Sequence, residues 1–212
     1  EKYPRMPEED IALIEQYCDI CFMPSVEEMF PTPPTENYNF GSLETVMEGA
    51  MRPGHFNGVG IIVGRLFHIV EPNKAYFGKK DFQQLAIIRH MVEHSALSSH
   101  FNNLKIVGCP IVREASGLAL SSRNERLSDS EKQTAVAISQ TLLASVEWAK
   151  TDSIEAVQKR VIDTINAIDG LEVEYYEIVD KSTLQPTTTF DNAIGCVTVY
   201  CGPVRLIDNI QY

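Results

Sequence analysis

Hydrophobic and polar positions follow one order up to about residue 111 and a different one beyond it. The first part opens with a helix signal at Pro7-Glu8-Glu9-Asp10, a proline at the first position and acids in the first turn, with Ile11, Leu13 and Ile14 as its apolar side. Asp19–Met23 reads as a short buried strand stopped by Pro24, and residues 31–41, rich in Pro, Thr and Asn, read as loop. Gly54-His55-Phe56 then leads into a long, mostly apolar helix that runs to about Val70 and ends at Glu71-Pro72. Lys74–Gly78 is a predicted strand, Asp81–His94 a helix and Leu104–Val107 another strand. Strand, helix and strand in this rhythm imply a parallel sheet with covered faces.

Beyond Val112 the order changes. Ser128-x-x-Glu131 is a capping box ahead of a helical stripe of Ala135, Ile138, Leu142 and Val146. Asp152-x-x-Glu155 repeats the signal ahead of Val157, Val161, Ile165 and Ile168. Three β-type runs close the chain, Glu172–Asp180, Ala193–Cys201 and Val204–Asp208, with Gly202-Pro203 as the turn between the last two. The predicted division is an α/β part with a parallel sheet over residues 1–111 and an α+β part over 112–212.

The chemistry concentrates at two places. Ala75-Tyr76-Phe77-Gly78-Lys79-Lys80-Asp81-Phe82-Gln83-Gln84 is a strand that ends at a glycine, followed by two lysines and a helix start. Such a corner binds anions, because free N–H groups and the positive end of the dipole point at the ligand, and glycine lets the backbone come close. Solvated surface lysines and a plain capping box, Asp81 with Gln84, are the simpler readings of the same residues. About forty residues on, Leu120-Ser121-Ser122-Arg123-Asn124 offers hydroxyl donors and one forked permanent charge, as a polyphosphate needs, although it also reads as an ordinary polar turn. Two such clusters suggest a nucleoside triphosphate held between them. His55, at a helix start, has no Ser, Cys or Asp partner in any nucleophile order.

Bulk properties narrow the partners. The formal charge of −11 over 212 residues argues against a nucleic-acid partner but permits a basic cleft for a small anion. No apolar run approaches membrane-spanning length and no secretory signal opens the chain. The five cysteines, odd in number and scattered, fit a reducing cytoplasm. Cys18-x-x-Cys21 lacks a second pair at zinc spacing, so both thiols are expected as small hydrophobes of the Asp19–Pro24 strand, and no metal site is expected. The chain opens on Glu1 within an apparent loop, so a fragment of a longer protein is expected.

Taken together, Phe22-Met23-Pro24-Ser25-Val26-Glu27-Glu28-Met29, Arg52-Pro53-Gly54-His55-Phe56-Asn57-Gly58-Val59, the Phe77–Gln84 corner, Gly117-Leu118-Ala119-Leu120-Ser121-Ser122-Arg123-Asn124 and Arg205-Leu206-Ile207-Asp208-Asn209, with Tyr3-Pro4-Arg5 ahead of them, resemble the pantothenate synthetase (pantoate–β-alanine ligase) family. The resemblance implies a Rossmann-like nucleotidyltransferase (HUP-type) parallel-sheet domain, N-terminally incomplete here, followed by a smaller α+β lid. It implies ATP contacts at Gly78, Lys79, Lys80, Asp81, Val112, Leu120, Ser121, Ser122 and Arg123, pantoate at Gln84, and catalytic roles for Lys80, Ser122 and Arg123. The family carries glutamate where this chain has Lys79, which leaves a backbone role there. ATP with Mg2+, pantoate and β-alanine are the implied ligands, and a cytoplasmic homodimer the implied setting. The implied reaction passes through pantoyl adenylate, releasing pyrophosphate and then AMP. The family's leading strand, its histidine-bearing HIGH-type motif and its Asn-Pro-x-Gln-Phe segment have no counterpart in these 212 residues, so the chain alone is expected to be inactive. Two alternatives remain open at this point: another nucleotidyltransferase of the same fold, and a non-catalytic remnant.

Overall fold

A computed structural model describes residues 6–94, 101 and 103–212. The Tyr3-Pro4-Arg5 block lies outside the described residues. The chain falls into two units, Glu1–Glu36 and Asn37–Tyr212. In the first, helix α1 spans Pro7–Ile14 with Pro7 at its start and Glu8, Glu9 and Asp10 in its first turn, but none of its residues is buried. A one-turn helix α2, Val26–Met29, follows a reciprocal capping box between Ser25 and Glu28. The strand expected at Asp19–Met23 does not form: the segment is irregular, Ile20 is 82% exposed, and Cys18 and Cys21 are exposed free thiols. A β-run becomes a strand only when a neighbour takes up its backbone groups. Among the described residues none pairs with it.

The second unit begins with a 3-10 turn, Gly41–Glu44, the short helix α3, Met47–Met51, and the long helix α4, His55–Val70. Two glycines on α4 admit the Tyr38 side chain, whose ring would lie 2.8 Å from a Cβ at Gly60 and whose hydroxyl would lie 2.5 Å from one at Gly64. Strand β1, Lys74–Gly78, pairs in parallel with β2, Lys105–Cys109, across helix α5, Phe82–His94. Phe40, Phe56, Phe67, Ile87, Ile88 and Met91 form the core beneath them. Both faces of this sheet were expected to be covered. Along β1 only Ala75 and Phe77 turn to a partner layer, whereas Tyr76 is 64% exposed, because no second layer packs on its face among the described residues.

Helices α6, Asp129–Trp148, and α7, Ile154–Asn166, lie on an antiparallel sheet of β3, Leu171–Asp180, β4, Ala193–Cys201, and β5, Val204–Gln211, in the order β3-β4-β5. The helical stripes meet the sheet: Ala135, Ile138, Leu142, Val157, Val161 and Ile165 are all buried. The Ser128–Glu131 capping box is present. At α7 the cap is Ser153 rather than Asp152, one residue later than the spacing implied. β5 also continues past Asp208 to Gln211, because polar Asp208 and Asn209 are buried with partners instead of ending the strand. A third apolar cluster, Met47, Phe82, Val179, Leu184, Ile194 and Cys196, joins α3 and the start of α5 to the antiparallel sheet.

Candidate active site

The site grows from the corner after β1. Lys79 directs its N–H to the Cys109 carbonyl at 2.8 Å, prolonging the strand pairing, so this amide is used within the sheet. Asp81 supplies the carbonyl for the first helical bond of α5, from Leu85 at 3.0 Å. The capping box that Asp81 and Gln84 suggest is not made: neither side chain accepts a hydrogen bond from the other residue's backbone N–H. Phe82 and Gln83 turn inward instead. Gln83 donates to the Leu43 and Val46 carbonyls at 2.7 and 2.9 Å and accepts from the Glu48 N–H at 3.0 Å. That leaves Gln84 at the mouth of an open cleft of about 530 Å³.

Four of the expected residues line this cleft, Lys80, Asp81, Gln84 and Arg123, with His55 and Arg52 beside them. Ser121 lines a smaller cleft of about 280 Å³ on the other side of Lys80. Gly78, Lys79, Val112, Leu120 and Ser122 line neither. Val112 and Leu120 lie opposite each other, Leu120 N–H to Val112 carbonyl at 2.9 Å, with their side chains 65% and 55% exposed. Ser121 caps the 3-10 turn Ser122–Arg126 by accepting from the Arg123 N–H at 3.2 Å. The Arg123 guanidinium donates to the Arg205 carbonyl at 3.2 Å, which holds it against β5.

Charge in the cleft is tuned by burial. Desolvation pulls the Lys80 ammonium below its ordinary pKa; Arg123 pulls the same way, while Asp81 and Asp208 oppose it. His55 is likewise lowered, first by burial and then by Arg52, whose guanidinium donates to Nε2 at 3.1 Å, so the ring is neutral near pH 7. Burial would raise the Glu48 carboxyl, but Arg205, bound through Nη1 and Nη2 at 2.9 and 2.6 Å, outweighs it and holds the group below its ordinary value. Tyr175 and Thr198 donate to the same carboxylate at 2.9 and 3.2 Å, and Arg205 also grips Glu174.

Several of these residues escaped the sequence reading. Glu48, Gln83, Tyr175, Asp208 and Asn209 all line the cleft. Nothing marked Glu48, a single acid among apolar neighbours. The Asp208-Asn209 pair did carry a signal: two adjacent polar residues inside a run of strand formers. Among the described residues no group of three or more His, Cys, Asp or Glu side chains gathers as a metal site. No described helix is long and apolar enough to cross a membrane.

A parallel βαβ corner carrying a half-buried lysine, faced by an arginine from an α+β half, is an arrangement that suits a HUP-type nucleotidyltransferase fold. The sequence matches the family described as "Pantoate-beta-alanine ligase" over residues 1–211, and the chain belongs to that family of amide-forming carbon–nitrogen ligases. It is 56% identical to the pantothenate synthetase of Phocaeicola vulgatus and 44% to that of Cytophaga hutchinsonii, covering 75% and 74% of their lengths with 100% and 99% of its own. It spans about three quarters of such relatives. Among solved structures, pantothenate synthetase from Thermus thermophilus superposes with a TM-score of 0.90 at 39% identity, over 100% of this chain and 76% of that one. Pantoate-beta-alanine ligase from Francisella tularensis, complexed with Beta-gamma ATP and Beta-alanine, gives 0.77 at 29% identity over 99% and 71%.

Proposed function

We propose that the enzyme expressed from this chain's gene condenses pantoate with β-alanine at the expense of ATP, by way of pantoyl adenylate, while these 212 residues alone do not turn over, and that the observation carrying this reading is the convergence of Lys80, Asp81, Gln84 and Arg123 on one cleft. The first step joins a carboxylate to the α-phosphate and expels pyrophosphate. It asks for positioning and charge neutralisation more than covalent chemistry by the protein. Lys80 faces the charge that moves onto the leaving pyrophosphate. Arg123, with Ser121 and Ser122, holds the outer phosphates. The Gly78–Asp81 backbone lets the nucleotide come close, and the exposed Val112 and Leu120 side chains offer an apolar rest for the base. Gln84, released from capping, presents an amide to the pantoate hydroxyls or carboxylate. The β-alanine amine then attacks the acyl carbon, forming the amide and releasing AMP.

ATP enters as its Mg2+ complex, a substrate whose ion rides on the phosphates and needs few protein oxygens. The Asp81 carboxylate is an exposed oxygen ligand at the cleft that such a complex would find available. Residues 112–212 serve as a lid over the nucleotide domain 1–111, excluding water from a hydrolysable adenylate. A cytoplasmic homodimer is the setting proposed with this activity. The test is the product set: AMP and pyrophosphate, with pantoate-dependent exchange of labelled pyrophosphate into ATP. Release of ADP and phosphate would reject the adenylate route.

A further inference from the structure

Strand β5 carries two adjacent buried polar residues, Asp208 and Asn209, each 5% exposed. Buried polar groups must find partners, and theirs lie on two different segments. The Asn209 amide donates to the Lys79 and Lys80 carbonyls at 2.8 and 2.9 Å. Both partners only accept, so the amide orientation is fixed by chemistry. With the Lys79 N–H already bound to Cys109, the corner is gripped from β2 on one side and from β5 on the other. Asp208 takes the Arg113 fork at 2.7 and 2.9 Å and is itself braced by the Asn209 N–H at 2.8 Å. Arg113 also donates to the Gly117 carbonyl at 3.2 Å and bridges to Ala119, which fixes the loop that runs directly into Leu120–Arg123.

We propose that Asp208 and Asn209 are positioning residues for the nucleotide: this one dipeptide of β5 sets the spacing between the Lys79–Lys80 corner and the Leu120–Arg123 turn. The inference rests on the nucleotide reading of those two segments and adds the element that holds them in register. A polyphosphate bridging two segments is sensitive to their separation, because a misplacement of about 1 Å can cost on the order of a hundredfold in rate. Pantoate, proposed at Gln84 on α5, does not depend on that separation.

The experiment uses the enzyme expressed from its own gene and measures pantoate-dependent pyrophosphate–ATP exchange. Asn209→Leu, which keeps the bulk and removes both donors, should raise KM for ATP about tenfold, the scale of two neutral hydrogen bonds. KM for pantoate should stay within about twofold, because Gln84 is positioned by α5. Combined with Lys80→Ala, Asn209→Leu should add less than about twofold, since a positioning residue has nothing left to position. Arg113→Lys breaks the fork at the outer arm and should show the same selective rise in KM for ATP; it carries the test by itself should Asn209→Leu fail to fold. Unchanged KM for ATP in a folded variant, parallel changes for ATP and pantoate with a lowered Tm, or full additivity with Lys80→Ala would overturn the proposal. Absence of exchange in the unsubstituted enzyme would instead count against the proposed function.

Discussion

Lys80 sits where burial and neighbouring charge pull in opposite directions. A lysine that must be charged to neutralise a leaving pyrophosphate is held partly out of water, which lowers its pKa, while Asp81 and Asp208 restrain the fall and Arg123 deepens it. Lys80→Ala should slow adenylate formation by at least about a hundredfold, the scale for removing a preorganised charge; rapid quench of the first half-reaction measures it, and a near-normal rate would make Lys80 a bystander. Because the ammonium is the active form, kcat/KM should fall as pH rises through the lowered Lys80 pKa, below the 10.5 of an ordinary lysine. Asp81→Asn removes a restraining charge and should move that alkaline limb to lower pH. A limb that moves upward, or stays, would mean another group titrates there. Lys80 could be read from sequence because its cue is local, a lysine pair after a glycine at a strand end. Glu48 could not, because its partner lies 157 residues away in the chain, and Asn209, although marked as a polar residue in a run of strand formers, gave no sign of its partner 130 residues away.

At the scale of elements, the reading succeeded where a segment carries its own boundary. Helix α4 begins after Gly54, which sits at φ +79, a conformation glycine adopts freely, and it ends before Pro72, so both ends were marked in the sequence. β1 and β4 were bounded equally well by glycine, lysine and polar turns. Asp19–Met23 failed because a β-run contains no information about whether a neighbour stands beside it. The approach of α3 to α5 was equally invisible, since it rests on the Met47–Phe82 contact and on one buried polar side chain, whose partners lie far off in the chain. Gln83, buried between them, satisfies two carbonyls and the Glu48 N–H at once. Gln83→Leu would strand all three and should cost about 2–3 kcal/mol of stability, with part of the loss recovered by water. It should also loosen Glu48 and the wall of the cleft. Urea unfolding checks the first effect and KM for pantoate the second; a loss below about 0.5 kcal/mol, the range of an ordinary surface change, would show that α3 is held by its apolar contacts alone.

The whole second unit poses the question of how two sheets unfold. The parallel pair and the antiparallel sheet each have a core of their own. Contacts of three kinds join the two: the apolar cluster around Met47, Phe82 and Ile194, the ion network in which Glu48 of α3 meets Arg205 of β5 and, through it, Glu174 of β3, and amide bonds from Asn209 to the Lys79 and Lys80 carbonyls and from Gln185 to that of Ser42. Removing one partner from a fully buried ion pair costs about 3–5 kcal/mol; the loss of Glu48 costs less than that, because Arg205 keeps its bonds to Glu174. A cost of even about 1–2 kcal/mol is a sizeable part of an ordinary domain's stability and can uncouple the halves. Trp148, the single tryptophan of this chain, lies on α6 with Arg160 stacked 4.1 Å over its ring and reports the C-terminal half. At neutral pH its fluorescence and the far-ultraviolet dichroism should therefore follow one urea transition. The Glu48 pKa is depressed, so its contribution is present above the ordinary carboxyl value of 4.5 and is lost as pH falls through the lowered one. Below that point the two transitions should separate. Because many carboxyls titrate in acid, Glu48→Gln at pH 7 is the decisive variant: it removes this one charge and should split the transitions without acid. If the two probes still coincide in Glu48→Gln, the apolar cluster and the Asn209 and Gln185 amide bonds join the halves without it, and the ion network serves the cleft rather than the cohesion of the molecule.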